Sequence, residues 1–197
     1  MAKKATLKKT VSYYSKADHL FLQRSGGQVY IADEYSTVIV PNVVYETYFC
    51  TVSPRFPLLQ DGEMLKSNST TTLPTPNGMD LAKIFPLGVS TIQRLGIAKV
   101  ISISNSEYAE VFRLGNQLIY LNSKFIAIAY ELATFCDREG VFNSSFKSTV
   151  GAGSENQNPK TSPVIWDWQH DCSMMLFPIR SDSEWLSVLN SVNVKQY

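Results

Sequence analysis

Three short stretches follow one another in the second half of the chain: Ala98-Lys-Val-Ile-Ser-Ile-Ser104, Tyr108-Ala-Glu-Val-Phe-Arg-Leu114 and Gln117-Leu-Ile-Tyr-Leu121. The first alternates apolar and polar residues, the pattern of a half-buried strand. Asn105-Ser106 and Gly115-Asn116 supply turn chemistry between them, so the stretch predicts successive antiparallel strands. The period then changes. Phe125, Ile128, Ala129 and Leu132 recur at helical spacing, and Asn122 or Ser123 is placed to cap a helix ending near Cys136. Antiparallel hairpins with a few packed helices make an α+β fold.

Working outward, Gly140 ends the helix and Val141–Lys147 reads as a strand. Gly151–Lys160 reads as a loop, and Ser162–Trp168 and Ser173–Arg180 as two strands. Asp182 or Ser183 can cap a final helix whose Trp185, Leu186 and Leu189 share a face. Toward the N-terminus, residues 11–52 read as strands, opened by Val11, Tyr13 and Tyr14. The run His19–Arg24 stops at Ser25-Gly26-Gly27, where glycine accepts positive φ, and Gln28–Ala32 is its partner. Asp33-Glu34 is a second turn before the β-branched Ser36–Pro41, and Val43–Phe49 leans to helix. Residues 53–78 are rich in Pro, Ser and Thr, either a linker or an extended surface segment. Met79–Phe85 adds a helical turn. The expected organisation is a β-rich lobe with linker over 1–78 and a β/α lobe with a C-terminal helix over 79–197. The alternative is one composite domain.

With 197 residues the chain can bury a core without disulfides or metals. Its 44% hydrophobic and 12% aromatic content excludes a disordered chain, a coiled coil and a fibre. A net charge of +1 supplies no strong global field toward nucleic acid or membrane. Cys50, Cys136 and Cys172 are odd in number and widely spaced, which fits reduced thiols in a cytoplasmic protein. Only His19 and His170 could add imidazole to a metal site, so no metal and no cofactor is expected. The start, Met-Ala-Lys-Lys, lacks the apolar run of a secretory signal, and no stretch is long enough to span a membrane.

No catalytic motif is present, which points to a non-enzyme. Asp33-Glu34 is the adjacent acidic pair on which a metal-dependent hydrolase or nuclease would have to be built; its plainer reading is a solvated turn. His170 and Cys172 could meet only on a regular strand, and the stretch reads as a turn. Trp166 and Trp168 share a strand face, as core or as a stacking platform. The first lobe is dense in tyrosine, including Tyr13, Tyr14, Tyr30 and Tyr35, which suits a half-wet binding surface.

Tyr120-Leu-Asn-Ser-Lys-Phe-Ile-Ala-Ile-Ala-Tyr-Glu-Leu132 resembles the last domain of bacterial DNA polymerase sliding clamps, where a strand ends in Asn and a helix opens with an aromatic residue. Ser162-Pro-Val-Ile165 and Met174-Met-Leu-Phe-Pro-Ile-Arg180 are similar to the closing clamp hairpin. Ala32–Pro41 resembles a clamp strand at an Asp-Gly turn, with Glu34 in place of the Gly and no basic residue. Leu73-Pro-Thr-Pro76 and Ile84-Phe-Pro86 are similar to an interdomain linker. The resemblance covers about half the chain, mostly 97–180. It implies hairpins with two helices per domain, in the reduced form found in phage and mobile elements. One such chain needs further copies to encircle DNA. The function implied is a binding module in replication or phage biology, cytoplasmic, with a protein partner or self-association. A phage structural or host-interaction protein is the alternative. DNA phosphates would meet Lys124, Arg138, Lys3, Lys4, Lys8 and Lys9. A partner peptide would meet Met174, Met175, Pro178 and Arg180, with Trp185 on the final helix covering that pocket or hooking a partner.

Overall fold

The computed structural model describes residues 6–68, 71–75, 80–84, 88–101, 106–136, 149–151, 163–168 and 172–179. Helix α1 (Lys8–Tyr14) comes first, where a strand opening at Val11 was expected. The physical reason is in the burial. Leu7, Thr10, Val11 and Tyr14 are buried, and that i, i+3, i+4, i+7 stripe is helical rather than alternating. The β-branched and aromatic residues of the segment yield to this packing.

Next come β1 (Leu20–Ser25), β2 (Gln28–Ala32) and β3 (Ser36–Pro41). Gly26 and Gly27, at φ 60° and 81°, close the first hairpin and fix Ser25 opposite Gln28. The chain then forms a short α2 (Asn42–Val44) that widens into a π-helical turn, Tyr45–Phe49. The described residues of the Pro/Ser/Thr-rich segment include extended chain on the sheet edge, as the second of the two readings expects. The segment carries β4 (Met64–Ser67), paired with β1, and β5 (Thr72–Pro74), paired with β4. Phe56 and Leu59 enter the core, and Arg55 donates to the carbonyls of Ser15, Ala17 and Ser67. Helix α3 (Leu81–Ile84) is tied to β1 through the buried Gln23, which donates to Asp80 and accepts from the Leu81 amide.

The rest is β6 (Gly88–Thr91), β7 (Gln93–Ile101), β8 (Ser106–Leu114), β9 (Gln117–Asn122), α4 (Ser123–Cys136), β10 (Thr149–Gly151), β11 (Val164–Asp167) and β12 (Ser173–Leu176). Pairing is antiparallel throughout, and the fold is α+β. The strand at 141–147, the loop at 152–160 and the final helix expected after Asp182 lie outside the described residues.

The main sheet runs β5-β4-β1-β2-β3-β12-β11-β10-β6, and β7-β8-β9 form a second sheet. Strands from both halves of the chain therefore meet in one sheet, at the β3–β12 pair. Leu20, Leu22, Val29, Ile31, Val38 and Val40 turn to one face, as do Val164, Trp166, Met174 and Leu176. That face shares its core with α1, α4 and Phe112, Ile119 and Leu121 of the second sheet. Tyr30, Ala32 and Ile39 turn to the other face, under Leu81. Trp166 and Trp168 both belong to the core.

The order about the centre is mirrored. α1 precedes β1-β2-β3, α4 precedes β10-β11-β12, and the two sets meet through β3 and β12, antiparallel from Ser36↔Leu176 to Ile39↔Ser173. The start of α1 touches the middle of α4 at Glu131, while Tyr13 at its end meets Phe125 near the start of α4. The two helices run antiparallel, as a pseudo-twofold relation requires.

Candidate nucleic-acid interface

The geometry of this face begins with Glu131. Its carboxylate accepts from the Lys9 amide at 2.9 Å, the Thr10 amide at 2.7 Å and the Thr10 hydroxyl at 2.8 Å. These amides are orphan donors of the first helical turn, and a carboxylate also suits the dipole there. The acid of α4 is thus spent on α1. On the α4 side, Asn122 accepts from the Lys124 amide at 3.0 Å and is the N-cap.

Lys8, Lys9, Ser12 and Lys124 are exposed, as is Lys16 just after α1. The Lys124 ammonium lies 4.9 Å from the centre of the Phe125 ring and 5.7 Å from that of Tyr13. Three of the expected phosphate contacts, Lys8, Lys9 and Lys124, therefore stand on the paired helices. Lys3, Lys4 and Arg138 lie outside the described residues. Lys16, which the sequence does not set apart from other surface lysines, lines a recess beside the helix pair.

Between α1 and the turn joining β2 to β3 lies an open recess of about 610 Å³. Lys9, Tyr13, Lys16 and Lys124 line it together with Asp33, Glu34 and Tyr35 of the turn. Asp18 and His19 complete its rim. Asp33 is fully occupied. Its Oδ1 accepts from the Tyr35 amide at 2.9 Å, the Ser36 amide at 2.7 Å and the Ser36 hydroxyl at 3.0 Å, and its Oδ2 accepts from the Tyr13 hydroxyl. Burial first, then the bond to Asp33 and its charge, push the Tyr13 hydroxyl well above the usual phenol range, so it remains a donor. Glu34 Oε1 lies 3.8 Å from His19 Nε2. The acidic pair thus builds a turn. Among the described residues no three His, Cys, Asp or Glu side chains converge to hold a metal ion.

No family model and no curated protein matches this chain.

Met174 and Met175 are buried within the sheet, as is Pro178 just after it. Strand β12 lies between β3 and β11, which places Met174 and Met175 inside the main sheet. Phe177, between them, is 44% exposed. Arg180 and Trp185 lie outside the described residues, as does His170. Among the described residues no helix is long and apolar enough to cross a membrane.

Proposed function

We propose that the chain is a non-enzymatic, clamp-like binding module that meets nucleic acid through the lysines of its paired helices, in DNA replication or in phage or mobile-element biology. The observation that carries this reading is the mirrored arrangement of α1–β1–β2–β3 and α4–β10–β11–β12 about the β3–β12 pair, with the antiparallel helices presenting Lys8, Lys9 and Lys124. It agrees with the resemblance read from residues 97–180, which implies hairpins and two helices per domain. The Glu131 carboxylate is held against the α1 amides, while Asp18, Asp33 and Glu34 share the recess with Lys9 and Lys124. One module cannot surround a duplex, so the role as a ring requires self-association.

Binding of a labelled duplex across a salt series tests the reading. Affinity should fall steeply as salt rises, because each neutralised phosphate releases counterions. Replacing Lys8, Lys9 or Lys124 by Gln should weaken binding whatever the sequence and lower the salt slope by about 1 for each lysine lost. Binding that is absent at low salt, or a slope untouched by all three changes, refutes it. Light scattering on the intact chain tests the ring: a strict monomer at all concentrations excludes it while leaving the lysine face intact.

A further inference from the structure

The recess beside the helix pair carries something that phosphate attraction alone does not require. Tyr35 stands at its edge with 55% of its surface exposed. A large aromatic side chain left this open is a candidate contact surface when its backbone is rigid, and here it is pinned twice. The Tyr35 amide donates to Asp33 at 2.9 Å, and its carbonyl accepts from the Phe177 amide at 3.0 Å. The Tyr35 ring leans on Phe125, with centroids 6.2 Å apart, and the Lys124 ammonium sits 4.9 Å from that same Phe125 ring. An open aromatic ring and an ammonium group are thus held against one common residue. Lys9, in α1, and Lys16, just after it, also line the recess. None of the three lysines forms an ion pair among the described residues.

We infer that this recess takes an unpaired nucleotide of a single-stranded nucleic acid, its base stacked on Tyr35 and its flanking phosphates on Lys9, Lys16 and Lys124. The inference rests on the reading of the helix face as a nucleic-acid surface and adds which form of nucleic acid that surface selects. The volume of about 610 Å³ lies within the roughly 300–1,000 Å³ of small-ligand sites, enough for a nucleotide and too little for a duplex. Bases inside a duplex are already stacked and offer Tyr35 no face, whereas an unpaired base stacks on any aromatic ring regardless of sequence. Asp33 keeps its charge but turns both oxygens to neutral donors, and Glu34 lies 3.8 Å from His19. With the exposed Asp18, three carboxylates stand among the three lysines, so the phosphates must sit closer to the ammonium groups.

The test is anisotropy of a labelled oligothymidylate, set beside a labelled duplex and a labelled phosphopeptide, with the intact chain at low salt. The single strand should bind in preference to the duplex. Tyr35→Ala should weaken single-strand binding about tenfold, and Tyr35→Phe should retain it, because the ring and not the hydroxyl does the stacking. Lys16→Gln should weaken single-strand binding, and Asp18→Asn should strengthen it. Circular dichroism of each variant verifies that the exposed substitution leaves the fold intact. Unchanged single-strand affinity in a folded Tyr35→Ala overturns the inference. So does tighter binding of the phosphopeptide than of the oligonucleotide. Salt-dependent duplex binding that ignores Tyr35 overturns the recess while the lysine face stands. Single-strand binding that needs Tyr35 but is indifferent to Lys8 replacement supports the recess and counts against the wider duplex face. No binding of either nucleic acid removes both.

Discussion

At the scale of single residues, two carboxylates do opposite things. Glu131 serves a helix to which it does not belong, accepting from two amides and a hydroxyl at the start of α1. Glu131→Ala leaves those donors without their acceptor and should lower stability by about 1 kcal/mol, the usual cost of a lost cap. Chemical denaturation checks this, and an unchanged midpoint would mean that solvent replaces the carboxylate fully. Glu110, on β8, is 5% exposed, and burial raises its pKa above the usual carboxylate value, against the opposing pull of Arg94 at 2.6 Å. A folded-state pKa above the unfolded one means that the native protein binds the extra proton. Its contribution to stability is therefore complete below the unfolded value near 4.5 and is lost as pH rises through the folded value. The wild-type chain should lose stability relative to Glu110→Gln as pH is raised from acid toward neutral. A stability difference that is flat across that range, or that moves the other way, would exclude this account.

At the scale of elements, local chemistry decided some pieces and tertiary packing decided others. The first hairpin is local. Gly26 and Gly27 both have positive φ, and a Cβ on either would meet nothing within 4 Å. The cost of Gly27→Ala is then conformational, about 1 kcal/mol, and should appear as a lowered melting temperature with the sheet register intact. Helix α4 was equally legible, since Asn122 and the spacing of Phe125, Ile128, Ala129 and Leu132 both lie within a few residues of it. Helix α1 was not, because its stripe begins at Leu7, ahead of the Val11, Tyr13 and Tyr14 that suggest a strand. β5 was hidden by its Thr and Pro, which an edge strand tolerates where a central strand would not, and β4 by its place between Pro- and Ser/Thr-rich flanks. The tryptophans show how a shared face leaves two readings open until packing is known. Trp166 is fully buried, so Trp166→Ala should cost about 3–5 kcal/mol, measured by denaturation, as expected for a core aromatic and not for a surface platform.

At the scale of the whole molecule, the feature that matters most is the one a sequence discloses least. The pairing of β3 with β12 joins segments far apart in the chain, and alternation within either strand says nothing about which partner it will find. The recess has the same character: Lys9, Lys16, Tyr35 and Lys124 belong to three separate elements, and only the helix pair and the turn after β2 bring them to one place. This long-range closure gives a prediction about folding. A fragment ending at residue 78 keeps α1 and β1 to β5 but loses β12, which bonds Ser36 to Ile39 across the centre of the sheet. It also loses Glu131 at the start of α1, and the α4 side chains that share the core with Val38 and Val40. The fragment would expose a long unpaired strand edge above an uncovered apolar face, and neither defect can be repaired locally. It should therefore show no cooperative thermal transition and no protected amides in β3. Mixing it with the complementary fragment should restore both, because the missing strand, cap and core then return together. A fragment of residues 1–78 that unfolds cooperatively alone would mean that the β3–β12 pair joins two independent folding units.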